Sequence, residues 1–221
     1  LRFTPAIVVL QCRAPAIWCK KQLNLKRSRA ILDMHHAEQA NDAPISLLAK
    51  GWYKFARHVA SPNFGARPVD TQISLIVIHS ISLPPGQFGG DEVQQLFCNT
   101  LDWDAHPYFE QIRDTKVSAH FYICRNGELW QFVSCDDRAW HAGQSSYLGK
   151  DNCNDYSIGI ELEGLEGDAF ELAQYDSLAS LCAVLQQNYP IAHLAGHEHI
   201  APGRKADPGK KFDWLHLRRA L

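Results

Sequence analysis

An α/β domain spanning residues 47–221 is what this sequence predicts, and three observations carry that expectation. Residues 73–80 (ISLIVIHS) form a continuous branched apolar run between polar turns, the pattern of a strand buried on both faces. Residues 156–164 (YSIGIELEG) alternate instead, with Ile158, Ile160 and Leu162 on one face and Ser157, Gly159, Glu161 and Glu163 on the other. Between residues 169 and 190, Leu178, Leu181, Cys182 and Leu185 recur at helical spacing, in a stretch that must stop before Pro190.

The remaining elements follow in chain order. The sequence begins at Leu1 and its single methionine is Met34, so residues 1–33 read as upstream translation ahead of a true start, with a targeting segment and a folded element as the other readings. Residues 35–46 (HHAEQANDAPIS) are polar and poor in branched side chains, the composition of a loose leader, which puts the domain boundary near Ser46. The run at 73–80 places His79 at a strand terminus. Two prolines and three glycines make residues 82–90 (SLPPGQFGG) a loop, and a long loop in a compact domain is often functional. Asp91 and Glu92 then open a short helix, where the helix dipole favours acidic side chains. Residues 117–133 contain two β-rich runs around Arg125-Asn126-Gly127-Glu128, a hairpin signature. A closing helix is expected over residues 212–221.

Composition limits the functions available. With 46% hydrophobic and 10% aromatic residues, 221 residues can bury a core. A formal net charge of −2 provides no field to collect nucleic acid or anionic lipid. No apolar run approaches the roughly 20 residues that span a bilayer, so the chain reads as soluble and without stable membrane association. Its seven cysteines are scattered, none at CxxC spacing, and read as small hydrophobes in a reducing compartment.

Chemistry-bearing residues concentrate in residues 196–209 (GHEHIAPGRKADPG). A catalytic zinc takes neutral nitrogen or anionic oxygen ligands, usually three, and leaves a position open for water. His79 offers one such group from a strand, while His197 and Asp207 flank a segment stiffened by Pro202 and Pro208. There is no HExxH motif, and eleven histidines allow many triples, so spacing does not select one. Lys205 lies two residues before Asp207, close enough to approach the same reacting atoms, or is an ordinary surface lysine. Glu161 stands mid-strand where burial would raise its pKa toward general-base duty, or is a charge that blunts an edge strand.

Six stretches, taken in order, carry a resemblance that spacing does not: SLIVIHSISLPPGQFGG, HPYF, VSAHFYI, RAWHAGQSSYLG, CNDYSIGIELEG and GHEHIAPGRKADPG. Together, over roughly residues 51–218, they resemble the AmpD-type anhydro-muropeptide amidases. These are a branch of the zinc N-acetylmuramoyl-L-alanine amidases and share a fold with peptidoglycan recognition proteins. The resemblance implies a single mixed β-sheet flanked by helices and one Zn2+ per chain, held by His79, His197 and Asp207. Glu161 matches the family's catalytic glutamate and Lys205 its lysine. Substrate contacts are expected from Ser80, where the family commonly has asparagine, and from Tyr108, Lys116, Trp140 and His141. Lys150 and Asn152 correspond approximately to basic positions that hold peptide carboxylates. His199 is expected beside the site or facing solvent, His120 as a hydrogen-bonded core residue and His106 as structural. The implied reaction is hydrolysis of the lactyl amide joining anhydro-N-acetylmuramic acid to L-alanine, by a cytoplasmic monomer engaged in wall recycling. An exported amidase of the same chemistry and a non-catalytic peptidoglycan-binding module are the rival readings; the intact ligand set argues against the second.

Overall fold

The computed structural model describes residues 47–221; the leader read at residues 1–46 lies outside the described residues. Six strands build the central sheet: β1 (Arg57–His58), β2 (Leu75–Ile81), β3 (Phe121–Ile123), β4 (Leu129–Gln131), β5 (Ser157–Glu163) and β6 (His193–Gly196). Their spatial order is β6-β2-β5-β3-β4-β1. β2 runs parallel to both β5 and β6, and β5 parallel to β3; the β3–β4 hairpin is antiparallel. The sheet is therefore mixed, as expected.

Burial explains the order. β2 lies between two parallel neighbours, and its residues Leu75 through His79 are buried. The strand continues to Ile81, so His79 lies within it rather than at its end. β5 is equally central, which removes the plainer reading of Glu161 as an edge charge. Alternation along β5 holds: Ile158, Ile160 and Leu162 meet Ile76 and Ile78 in one apolar cluster. The helix α2 (Leu172–Asn188) covers that face with Leu178, Leu181, Cys182 and Leu185. Each such aliphatic side chain, fully buried, contributes about 1.5–3 kcal/mol. Gln174 ties α2 to the sheet, its Nε2 donating to the carbonyls of Ile123 and Glu163 at 3.1 and 3.0 Å.

The opposite face carries the polar residues of β5 and is closed by loops and short elements. The first of these, α1 (Glu92–Phe97), sends Val93, Leu96 and Phe97 into a second cluster with Tyr122 and Phe132. After β6 the chain forms a single turn, α3 (His197–Ile200), so the segment at 196–209 begins as a helix and is irregular only beyond it. The closing helix is α4 (Trp214–Ala220), which starts after Asp213 because the Asp213 carboxylate accepts the His216 N–H at 2.8 Å. Cys135, Cys153 and Cys182 are buried and Cys98 and Cys124 half-buried. Among the described residues no helix is long and apolar enough to cross a membrane.

Candidate active site

Strand register assembles the site. In the β2–β5 pair His79 stands directly opposite Glu161, on the face away from α2. In the β6–β2 pair Gly196 stands opposite Ile78, so His197, one residue further on, arrives beside His79. The chain then loops back: the Glu198 N–H donates to the Asp207 carbonyl at 2.9 Å and pins Asp207 next to the start of α3. Gly196 makes that approach possible, since a Cβ there would lie 2.8 Å from Cδ of Pro208.

Three ligand atoms converge as a result. Nδ1 of His79 lies 2.9 Å from Nδ1 of His197 and 3.3 Å from Oδ2 of Asp207, and Nδ1 of His197 lies 3.2 Å from the same oxygen. A tetrahedral ion with bonds of about 2.0–2.1 Å separates its donor atoms by about 3.3 Å, so the triangle fits one metal ion. The protonation states agree. Burial holds His79 down to about 4, which leaves it neutral near pH 7. Burial alone would raise the Asp207 carboxyl, yet contacts with His197 and His79 hold it well below the usual carboxylate range. His197 places Nε2 3.2 Å from the Ala142 carbonyl and 3.5 Å from the Arg204 guanidinium, and turns Nδ1 toward His79 and Asp207. An ion bridging Nδ1 of His197 and the Asp207 carboxylate, 3.2 Å apart, would satisfy both.

Glu161 sits beside this triangle, with Oε1 4.0 Å from Nδ1 of His79 and a side chain 12% exposed. Its Oε2 is buried and has no hydrogen-bond partner among the described residues. Burial, and then the Asp207 charge, push its carboxyl well above the usual range, while Lys205 pulls the other way. The same positive charge opposes protonation of His79. Lys205 borders the cleft with Glu161 and Asp207.

That cleft, about 770 Å³, also meets Ser80, Tyr108, Trp140, His141 and Arg204. Alternation turns Ser80 to the sheet face opposite His79, and its Oγ is buried without a partner among the described residues. His106 shapes the Tyr108 wall: its Nδ1 accepts the Tyr108 N–H at 3.1 Å where the 3-10 turn Pro107–Ile112 begins. Lys116 is exposed between Thr115 and Val117, which line the cleft while Lys116 does not. Lys150 lies instead over the Tyr156 ring, 4.0 Å from its centroid. His120 is buried, accepting the Gly159 N–H at 3.0 Å. His199 points away from the ligand triangle, its Nδ1 accepting the Gly196 N–H at 2.8 Å and its ring beside Trp214. Sequence reading missed Arg204, whose guanidinium donates to the Ala142 and Gln144 carbonyls at 2.7 and 2.5 Å. Carbonyl partners some 60 residues away leave no local pattern to find.

A family model for N-acetylmuramoyl-L-alanine amidase matches residues 69–210, more than half of the chain, and the chain belongs to that family. It is an amidase. Among its relatives is the 1,6-anhydro-N-acetylmuramyl-L-alanine amidase AmpD of Citrobacter freundii, 52% identical over 174 residues, covering 78% of this chain and 93% of that protein. The crystal structure of an AmpD derivative matches with a TM-score of 0.78 at 51% identity, over 79% of this chain and 99% of the other. AmiD from E. coli, solved in complex with the substrate anhydro-N-acetylmuramic acid-L-Ala-D-gamma-Glu-L-Lys, matches with a TM-score of 0.50 at 31% identity, over 70% and 58% of the two chains.

Proposed function

We propose that this chain is a zinc-dependent amidase that hydrolyses the amide between the lactyl group of anhydro-N-acetylmuramic acid and L-alanine in muropeptides released from the cell wall. The observation that carries the reading is the convergence of His79, His197 and Asp207 on one point, with the Glu161 carboxyl beside it and its Oε2 unpartnered. One Zn2+ per chain, held by those three side chains, would supply a Lewis acid that acidifies water and polarises the scissile carbonyl.

The chain's own groups do the rest. Glu161, its pKa raised by burial, takes a proton from the attacking water and returns it to the departing alanine nitrogen. Lys205 places an ammonium where the carbonyl oxygen gains negative charge; loss of one such preorganised donor typically costs about 2.7–4 kcal/mol in the transition state. Tyr108 and Trp140 offer apolar walls to the sugar and peptide, and Ser80 and His141 border the same cleft. Lys116, outside the cleft lining, would reach only a stem peptide long enough to leave it. Every donor comes from one chain, which supports a monomer, and the scattered cysteines suit the cytoplasm.

Metal analysis of the purified protein, joined to mass spectrometry of products from anhydro-muropeptide, tests the whole reading. We expect one zinc per chain and release of the intact peptide with L-alanine at its N-terminus. Asp207→Ala should lose both metal and turnover; full activity in that variant would remove Asp207 from the metal site. Glu161→Ala should keep zinc while turnover falls about 10²–10⁴-fold. Unchanged turnover would remove Glu161 from the reaction.

A further inference from the structure

His79 has a second nitrogen, and what it touches determines which of its atoms faces the metal position. Nε2 of His79 lies 2.9 Å from Nδ1 of His141. Nε2 of His141 lies 3.2 Å from the Ser157 hydroxyl, and that hydroxyl donates to the Cys153 carbonyl at 2.6 Å.

The chain of bonds has one direction. Ser157 spends its only proton on a carbonyl, so toward His141 it can only accept, and His141 must donate from Nε2. A neutral imidazole carries one proton, which leaves Nδ1 of His141 as an acceptor. His79 therefore donates from Nε2 and keeps Nδ1 as a bare lone pair toward His197 and Asp207.

The surroundings hold this arrangement. The backbone N–H groups of His141 and Ala142 both donate to Oδ1 of Asn154, at 3.1 and 2.8 Å. The His141 ring meets that of His79 at 84°, with centroids 5.0 Å apart. It occupies the space a side chain at position 159 would take: a Cβ on Gly159 would lie 2.4 Å from Cγ of His141. A glycine inside a central strand weakens it, and here the absent side chain is what admits the imidazole.

We infer that His141, anchored by Ser157 and admitted by Gly159, is a positioning residue that holds His79 in its Nε2–H tautomer and so prepares the metal site before any ion arrives. The inference rests on the metal site proposed above. Outer partners of this kind typically change metal affinity about 10–100-fold.

Two measurements on the full chain test it. Long-range ¹⁵N–¹H NMR of metal-free protein reads the His79 tautomer, and titration of zinc against a chromophoric chelator reads affinity. Wild type should carry the His79 proton on Nε2; a proton on Nδ1 overturns the inference without any variant. His141→Ala should mix the tautomers and weaken zinc binding about 10–100-fold. His141→Gln, which can accept from His79 and donate to Ser157, should restore most of both. Ser157→Ala frees His141 to switch tautomer and should weaken binding as well. It is the deciding variant should His141→Ala not fold, and wild-type affinity with an unaltered tautomer in a folded variant overturns the inference. Failure of wild type itself to bind zinc would instead overturn the metal site.

Discussion

Glu161 holds a carboxylate that water barely reaches, with one oxygen unpartnered and the Asp207 charge nearby. Such a group destabilises the fold whenever it is ionised. Its pKa is raised in the folded protein, so the penalty is fully present above the folded pKa and vanishes below the unfolded carboxylate value of about 4.3. In chelator-treated protein, Glu161→Gln should therefore raise Tm at pH 7. A domain of this size gains about 2–4 °C per kcal/mol. The gain should shrink to nothing as the pH falls toward 4, and a pH-independent difference in melting scans would refute the electrostatic origin. The run of family motifs is what singled out Glu161, His79, His197 and Asp207 together in the sequence. Their contacts were not legible there: His79 and His197 stand 118 residues apart, and only strand register joins them.

At the scale of elements, β5 shows what alternation reveals and what it hides. The period of two correctly separated Gly159, Glu161 and Glu163 from the aliphatic face. It could not show that each meets a different neighbour. Glu163 accepts the Gly89 N–H at 2.5 Å and the Arg125 N–H at 2.8 Å, fastening the loop at 82–90 and the β3–β4 hairpin to the strand end. Glu163→Ala leaves two backbone donors unpaired and should cost about 1–3 kcal/mol for each one that stays buried. Amide exchange at Gly89 and Arg125 should quicken in step; unchanged protection at both would show that the carboxylate does not hold the loop. The turn α3 was hidden for a similar reason: prolines and glycines dominate residues 196–209, whereas the helical turn is held by His199 reaching back to the Gly196 N–H.

For the molecule as a whole, parallel strands explain why one edge of the sheet carries the chemistry. β2, β5 and β6 run the same way, so His79, Glu161 and His197 all fall near or just beyond carboxyl ends of strands, the side where open α/β sheets receive ligands. The mixed sheet and its long helix were legible because burial imposes periodicity; the cleft was not, since loops of no fixed period build it. The domain boundary proposed at Ser46 is open to direct trial. A chain beginning at residue 47 should fold, bind zinc and turn over substrate within about twofold of the full chain, as expected when a terminal segment adds no core. A fall in Tm by more than a few degrees would assign residues 1–46 a structural part. The distance in sequence between the two histidines also bears on biosynthesis. A growing polypeptide that has already produced His79 must add another 118 residues before His197 exists to meet it. On the metal site proposed above, capture of the ion waits until all six strands of the sheet have been made, since β6 ends at Gly196, and a ribosome-bound fragment that ends earlier lacks two of its three ligands.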